Sequence, residues 1–359
     1  MTSRERVLTA FNREPPDRVP AVLYGELVGY TPAVSRMLEE KCGGTSPLEY
    51  FGFDITSFSL APSRNKQDFG RYIPIDEHTT VDEWGVGWKG GRYLHYAEIL
   101  HPLHDLPLEE IREYPFPDLD EEYRYQNVGD KNLELHNKGL ATAYFAGSIF
   151  ETAWYMRGME QLFIDIITEP ATSNFLLDRI TDIVAESARH LAEADLDLLV
   201  LGDDIAMQTG MMMSLDMWRE FFKPRLTRVI RAAREVKPDI HVFYHSDGDV
   251  WDAIPDLIEA GIDVLNPVQP ECMDPAQVKE EFGDRLSFFG TISLQKTMPF
   301  GTPDEVRAEV KTRMETIGRN GGLLLAPSHV LQPDTPWDNI VAFFEAIDEF
   351  GYYQGSVQK

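Results

Sequence analysis

The sequence predicts a single α/β domain over residues 1–359, folded as a (β/α)8 TIM barrel. Eight short runs rich in β-branched and aromatic residues recur along the chain. Most of them are followed by segments with apolar residues at helical spacing. This alternation is typical of parallel strands joined by helices, and eight such units that close on themselves form a barrel.

The predicted strands begin after turns and end in polar or glycine-containing loops. They are Val19–Gly25, Asp54–Leu60, Ala141–Ser148, Asp197–Asp204, Ile240–Gly248, Val264–Pro270, Leu286–Ile292 and Gly322–His329. Helical spacing follows the third strand over Thr168–Ala194 and the seventh over Thr302–Arg319. An open doubly wound sheet is the alternative fold, but it favours a G-x-G-x-x-G fingerprint after the first strand, and Tyr24–Gly29 has none.

One long segment, residues 61–139, interrupts the alternation between the second and third strands. It contains several glycine, proline and aromatic residues and alternating runs such as Trp84–Trp88. We therefore predict a β-rich insertion here. A connection of this length is typical of a lid, a pocket wall or an oligomer contact.

Composition and charge limit the class of protein. Apolar residues make up 43% and charged residues 26% of the chain, as in a globular protein with a large core. The net charge of −27 repels phosphate backbones and anionic lipids, so we expect no nucleic-acid and no membrane partner. Cys42 and Cys272 form no disulfide framework, and no apolar run approaches the ~20 residues of a membrane span, so we expect a cytoplasmic protein.

Polar side chains at the strand ends are the candidates for chemistry, because the carboxyl ends of barrel strands carry the active site. They are Glu26, Asp203, Asp204, His245, Asp247, Asp249, Gln269, Glu271 and His329. His245 and Asp247 are two positions apart, so on an extended chain they point to the same side. Together with His329 they form a set of N and O donors that suits a divalent metal such as zinc. Alternatively, His245 is a barrel histidine whose hydrogen bonds are satisfied by its neighbours, Asp247 caps a helix and His329 is a loop residue.

Asp203 and Asp204 are neighbours on one strand, so only one of the two carboxylates can enter the pocket. That carboxylate, with a pKa shifted by a nearby charge, can act as a general acid, a base or a metal ligand. A buried acceptor for backbone amides is an equally good interpretation. The sequence leaves both open.

Four residues near the strand ends are predicted to bind substrate. They are Tyr24, Met207, Met211 and Gln269. The methionines belong to a stretch of polarizable side chains that can line an apolar pocket. The aromatic residues that follow, Trp218, Phe221 and Phe222, have the spacing of one helix face, so core packing explains them at least as well.

The chain resembles the uroporphyrinogen decarboxylase superfamily, which includes the haem-pathway decarboxylase and the corrinoid-linked methyltransferases. The resemblance covers nearly the whole chain. It is carried by Arg4–Leu8, Pro16–Pro20, Gly202–Asp204, Tyr244–Gly248, Asn320–Gly322, Ala326–His329, Pro333–Pro336 and Asn339–Ile340. It implies a barrel and a homodimer.

Two departures from the family motifs distinguish the branches. The haem-pathway decarboxylase holds substrate carboxylates with an Arg-Gln-Ala-Gly-Arg segment after the first strand, where this chain has Gly25–Tyr30 with the acidic Glu26. The methyltransferases bind zinc through a His-x-Cys after strand five and a Cys after strand eight. The corresponding positions are His245, Asp247 and His329, so both cysteines are replaced by residues that still bind metals.

The resemblance and the donor set together predict a zinc-dependent methyltransferase. We expect a small methylated substrate, such as a methoxylated aromatic, to give its methyl group to the corrinoid of a partner protein. Asp203 or Asp204 and Glu26 would then bind the substrate or transfer a proton. The alternatives are a cofactor-free decarboxylase with the inward aspartate of strand four as proton donor, and a non-catalytic ligand-binding barrel.

Overall fold

The structure, a computed structural model, describes residues 1–58, 60–64, 67–90 and 97–353. Its main sheet is parallel, and its strands lie side by side in the order in which they occur in the chain. They are β1 (Ile55–Ser57), β2 (Ala141–Gly147), β3 (Leu198–Gly202), β4 (His241–His245), β5 (Val264–Asn266), β6 (Ser287–Ile292) and β7 (Leu323–Pro327). Seven of the eight predicted strands are therefore present. An α/β fold with a curled parallel sheet is confirmed.

The first predicted strand, Val19–Gly25, is wrong as a regular strand. Among its residues only Ala21 forms a bridge, parallel to Leu325 of β7. Proline at position 20 has no N–H, and the N–H of Ala21 donates to the carboxylate of Asp54 (2.9 Å), so the ladder does not continue past this bridge. Leu325 N–H nevertheless donates to Pro20 O (2.9 Å), and Asp54 N–H donates to Ala21 O (3.1 Å). This segment thus links both edges of the sheet, an arrangement consistent with an eight-stranded barrel.

The helices pack around this sheet. They are α1 (Ser3–Phe11), α2 (Gly25–Val28), α3 (Pro32–Lys41), α4 (Pro47–Phe51), α5 (Leu108–Arg112), α6 (Val128–Asn137), α7 (Phe150–Arg157), α8 (Met159–Thr168), α9 (Pro170–Glu193), α10 (Leu215–Phe221), α11 (Lys223–Val236), α12 (Ile254–Ala260), α13 (Pro275–Phe282), α14 (Thr297–Phe300), α15 (Pro303–Glu315) and α16 (Trp337–Phe350). The helices predicted after the third and seventh strands are α9 and α15. Thr302 and Glu305 form the capping box that starts α15.

The core lies inside the sheet and between the sheet and the helices. Every residue of β3, β6 and β7 is buried, as expected for parallel strands covered on both faces. Trp218, Phe221 and Phe222 are buried on and just after α10, which favours the core-packing interpretation of these residues. In the part of the chain that the structure describes, no helix combines the length and the apolar character needed to cross a membrane.

Between β1 and β2 the described residues include a small antiparallel sheet. Its strands are Thr79–Val81, Gly87–Lys89 and Glu98–Leu100. The ring of Trp88 packs edge-on against Tyr155 of α7, with 5.1 Å between the ring centroids. This contact holds the small sheet against the helix that follows β2, next to the carboxyl ends of the main strands.

Candidate metal centre and a cavity next to α2

The predicted metal ligands come together in the structure. His245 is the last residue of β4, Asp247 follows it by two positions, and His329 lies two positions beyond the end of β7. One ligand atom from each side chain lies within 4.8 Å of the others, and all three residues are half-buried. Three N and O donors that converge at the carboxyl end of a parallel sheet can bind a divalent metal and leave one position open for a substrate.

A buried asparagine orients His245. Asn266, which ends β5 and has no exposed surface, uses its amide N–H to bind the carbonyl oxygen of Phe289 (2.9 Å). Its Oδ1 therefore faces Nδ1 of His245 at 2.5 Å, so Nδ1–H is the donor and, in the neutral imidazole, Nε2 has the free lone pair. An asparagine in this role fixes both the tautomer and the ring orientation of a metal-binding histidine.

Two carboxylates surround the free nitrogen of His245. Its Nε2 lies 3.7 Å from Oδ1 of Asp204 and 3.9 Å from Oδ1 of Asp247. Burial opposes the charged imidazolium, but the charges of Asp247 and Asp204 outweigh it and raise the pKa of His245. Burial likewise raises the pKa of Asp247 to about 6, against the opposing effect of His245. The site thus has negative charges that a metal cation would neutralise.

The adjacent aspartates take different roles, in line with the alternation of side chains along a strand. Asp204 accepts the backbone N–H of Asp247 (2.8 Å) and faces the candidate ligands. Asp203 is buried and accepts the N–H of Glu151 (2.9 Å) at the first turn of α7. The structure therefore favours Asp204 as the carboxylate at the site and Asp203 as an acceptor of backbone amides.

Tyr24 packs against both histidines. Its ring is stacked on His245 at 5.6 Å, with 20° between the ring planes, and lies 5.8 Å from the ring of His329. The tyrosine is almost completely buried. Its position therefore favours support of the two imidazole rings, and a direct contact with substrate remains a prediction.

Glu151 belongs to the same group of charges, although sequence reasoning missed it. Its Oε1 accepts the hydroxyl of Tyr155 (3.0 Å). Burial, followed by the charge of Asp204, raises the pKa of Glu151 to about 7. The residue comes four positions after β2. A glutamate in the first turn of a helix is usually explained by the helix dipole, so no specific signal for this residue exists in the sequence.

A cavity of about 540 Å³ lies next to α2, whose four residues all line it. It begins at Gly25, directly after Tyr24, and its walls include Glu26, Phe58 and Tyr144. The carboxylate of Glu26 accepts the hydroxyl of Thr56 at Oε1 (2.6 Å), and burial raises the pKa of Glu26. Glu26, one of the predicted catalytic carboxylates, thus lies in this cavity rather than among the candidate metal ligands.

The remaining predicted substrate-binding residues lie outside this cavity. Met207 and Met211 belong to paired short strands beyond β3, where Met207 is largely exposed and Met211 is half-buried. Gln269 is buried, and its Oε1 accepts the backbone N–H of Gly248 (3.3 Å). This bond holds the turn that carries Asp247, so Gln269 supports the candidate metal centre.

Comparisons with known proteins agree on fold and family. The uroporphyrinogen decarboxylase (URO-D) family profile matches residues 108–350. The methylcobamide:CoM methyltransferase MtaA of Methanosarcina barkeri is 31% identical over 175 residues, which is 48% of either chain, so the match spans about half of that relative. The uroporphyrinogen decarboxylase of Psychromonas ingrahamii is 23% identical over 368 residues and 96% of either chain. A solved structure described as a methyltransferase from Methanosarcina mazei has the same fold, with a TM-score of 0.67, 19% identity and coverage of 98% of this chain and 99% of that one.

Proposed function

The chain belongs to the uroporphyrinogen decarboxylase family, and we propose that it is a metal-dependent methyltransferase that moves a methyl group from a small methylated substrate to the corrinoid of a partner protein. The observation that carries this proposal is the convergence of His245, Asp247 and His329 within 4.8 Å. The similarity to MtaA, a methylcobamide methyltransferase, supports the corrinoid partner.

The residues present fit a zinc ion. Zinc in catalytic sites takes three protein ligands and keeps one position open, and His245 already has its Nε2 free through the bond to Asn266. Two nitrogens and one carboxylate oxygen make the metal a harder Lewis acid than thiolate ligands would. When bound, such a metal would polarise a substrate oxygen.

Glu151 fits the role of proton donor. With a pKa of about 7 it is substantially protonated at neutral pH, and Tyr155 holds its carboxyl group in place. A methoxylated aromatic would leave as a phenolate after losing its methyl group, and this leaving group needs stabilisation at oxygen. A carboxylic acid beside the metal centre supplies a proton for that oxygen, so we propose a methoxylated aromatic as the methyl donor.

Decarboxylation of a tetrapyrrole is the second candidate, favoured by relatives that match over nearly the full length. The charges of the site argue against it. Glu151, Asp204 and Asp247 lie together around His245, Glu26 lies in the cavity, and the described residues that line this cavity include no arginine or lysine. A polycarboxylated substrate would place further negative charge against these groups without compensation.

The metal content of protein purified without chelator tests the proposal, together with methylation of a reduced corrinoid protein followed by absorbance. We expect about one zinc per chain, and loss of both metal and methyl transfer in the Asp247→Ala, His329→Ala double variant. Asp120, Glu186 and His190 form another cluster with ligand atoms within 4.8 Å, so His190→Ala is a matched control that should keep both.

Metal-free protein, together with full transfer activity in the double variant, would overturn the proposal. Release of carbon dioxide without a corrinoid protein would establish the decarboxylase instead. Tight ligand binding with no product under reducing conditions would identify a non-catalytic barrel.

A further inference from the structure

The cavity next to α2 contains little charge. Glu26 is the one charged residue in its lining, and no lysine, arginine or histidine accompanies it among the described residues there. A volume of about 540 Å³ is sufficient for a small substituted ring. The cavity therefore combines room for a ligand with a single carboxyl group.

The cavity walls provide flat aromatic surfaces. Phe58 and Tyr144 are stacked at 5.2 Å, with 26° between their planes. Phe145 and Val28 also line the cavity and are 43% and 44% exposed, respectively, so apolar surface is open to a ligand. A stacked pair of rings offers a planar face, and offset stacking of a third ring is a favourable geometry for aromatic groups.

The carboxyl group of Glu26 has acceptor capacity left over. Its Oε1 accepts the hydroxyl of Thr56 (2.6 Å) and its Oε2 that of Tyr30 (3.3 Å). A carboxylate has about four acceptor positions, so each oxygen can take one more donor. A hydroxyl group on the ligand would satisfy this capacity, whereas a ligand carboxylate would bring a second negative charge with no cation to balance it.

We propose that this cavity selects an uncharged phenolic ring whose hydroxyl donates a hydrogen bond to Glu26, and that Glu26 excludes rings that carry a carboxylate. The inference rests on the proposed function in one respect, namely that the bound ring is the methyl donor. It makes Glu26 a residue that determines substrate specificity.

Isothermal titration of the metal-loaded protein at neutral pH tests the inference with three probes. We expect 2-methoxyphenol to bind at least about tenfold more tightly than 4-hydroxy-3-methoxybenzoate, which adds a negative charge, and than methoxybenzene, which lacks the hydroxyl donor. Equal affinity for the neutral and the carboxylated ring would overturn the proposal. These ligand comparisons need no variant, so they stand even where a substitution impairs folding.

The variant Glu26→Gln separates charge from shape. Its amide oxygen can still accept a phenol hydroxyl and its amide N–H can bind a carboxylate, so the preference for the uncharged ring should fall at least about fivefold while 2-methoxyphenol binding changes little. The exposed Glu39 provides a matched control, and Glu39→Gln should keep the preference. An unchanged preference in Glu26→Gln would show that Glu26 does not set it.

Failure of this inference and failure of the proposed function give different results. Binding is measured without a corrinoid protein and without turnover. Selective binding of 2-methoxyphenol with no methyl transfer would leave the cavity assignment in place and remove the methyltransferase. Methyl transfer from another donor, with no binding of 2-methoxyphenol, would remove the cavity assignment alone.

Discussion

The Nε2 atom of His245 lies 3.9 Å from Oδ1 of Asp247, at the end of β4. Both groups are titratable and partly buried. One residue separates them in the chain, so their side chains extend to the same side and meet above the sheet. The arrangement places an aromatic nitrogen and a carboxylate oxygen where one metal ion could bind both. Residues that orient His245, such as Asn266, should therefore affect how tightly the site binds a metal.

Replacing Asn266 with alanine should weaken metal binding. The change removes the acceptor for Nδ1–H of His245 and frees the ring to rotate, and loss of such a partner typically costs about 10–100-fold in affinity. Competition with a chromogenic chelator measures the zinc affinity. Asn339 is a matched control, because it is also buried and donates to two carbonyl oxygens far along the chain. Asn339→Ala should lose stability and keep its zinc affinity; equal affinity losses in both variants would contradict the orienting role.

The adjacent aspartates should respond differently to alanine. Asp203→Ala leaves the backbone N–H of Glu151 in α7 without this acceptor, so we expect the free energy of unfolding to fall by about 1–3 kcal/mol. Asp204 is partly exposed and lies at the candidate metal centre, so Asp204→Ala should cost less than about 1 kcal/mol and lower the proposed methyl transfer instead. Urea unfolding of the metal-free variants and activity of the zinc-loaded ones separate the two effects. A larger stability loss for Asp204→Ala would reverse these roles.

Most of the sheet can be predicted from the sequence, because β-branched runs that alternate with helical segments indicate parallel strands. The first predicted strand fails for a local reason. Pro20 has no N–H to donate, and the N–H of Ala21 binds the side chain of Asp54, a residue 33 positions away that no local pattern connects to it. The composition of Val19–Gly25 alone could not show this competition.

At the candidate site, too, contacts between residues distant in the chain could not be predicted from the local sequence. The proximity of His245, Asp247 and His329 was predictable because histidine and aspartate are common metal-binding residue types and these three lie at strand ends, where the fold brings them together. Asn266 and Glu151 were not. The first is an amide that acts through its neighbour, and the second comes after β2 in a helix, so its importance depends on burial beside Asp204.

The stability of the metal-free protein should decrease with pH between about 4.5 and 7, in part because of Glu151. Its pKa is about 7 in the folded chain and 4.5 in the unfolded chain, so the folded state holds the extra proton over this range. Glu151→Gln cannot lose a proton, so at pH 8 it should be roughly 1–3 kcal/mol more stable than the unaltered protein. Some slope should remain, because burial raises the pKa of Asp247 to about 6 as well.

Urea unfolding of metal-free protein at pH 5 and at pH 8 measures this difference. Glu160 is exposed on α8, so Glu160→Gln should retain the pH dependence of the unaltered protein. A Glu151→Gln variant with an undiminished slope would show that another group carries the proton.

Asp247→Cys should replace a carboxylate ligand of the proposed metal centre with a thiolate ligand. The side chain stays on the same side of the strand end as His245, and a cysteine sulfur is a softer ligand that suits zinc and cobalt(II). Cobalt-substituted Asp247→Cys protein should therefore show a thiolate-to-metal charge-transfer absorption that the unaltered protein lacks. Asp249→Cys is the control, since it adds a cysteine two positions away without replacing a proposed ligand. A band in neither variant would mean that position 247 does not reach the metal, and a band in both would mean that the absorption is not specific to position 247. A band in Asp247→Cys alone would place that side chain in the coordination sphere, independently of any assay of methyl transfer.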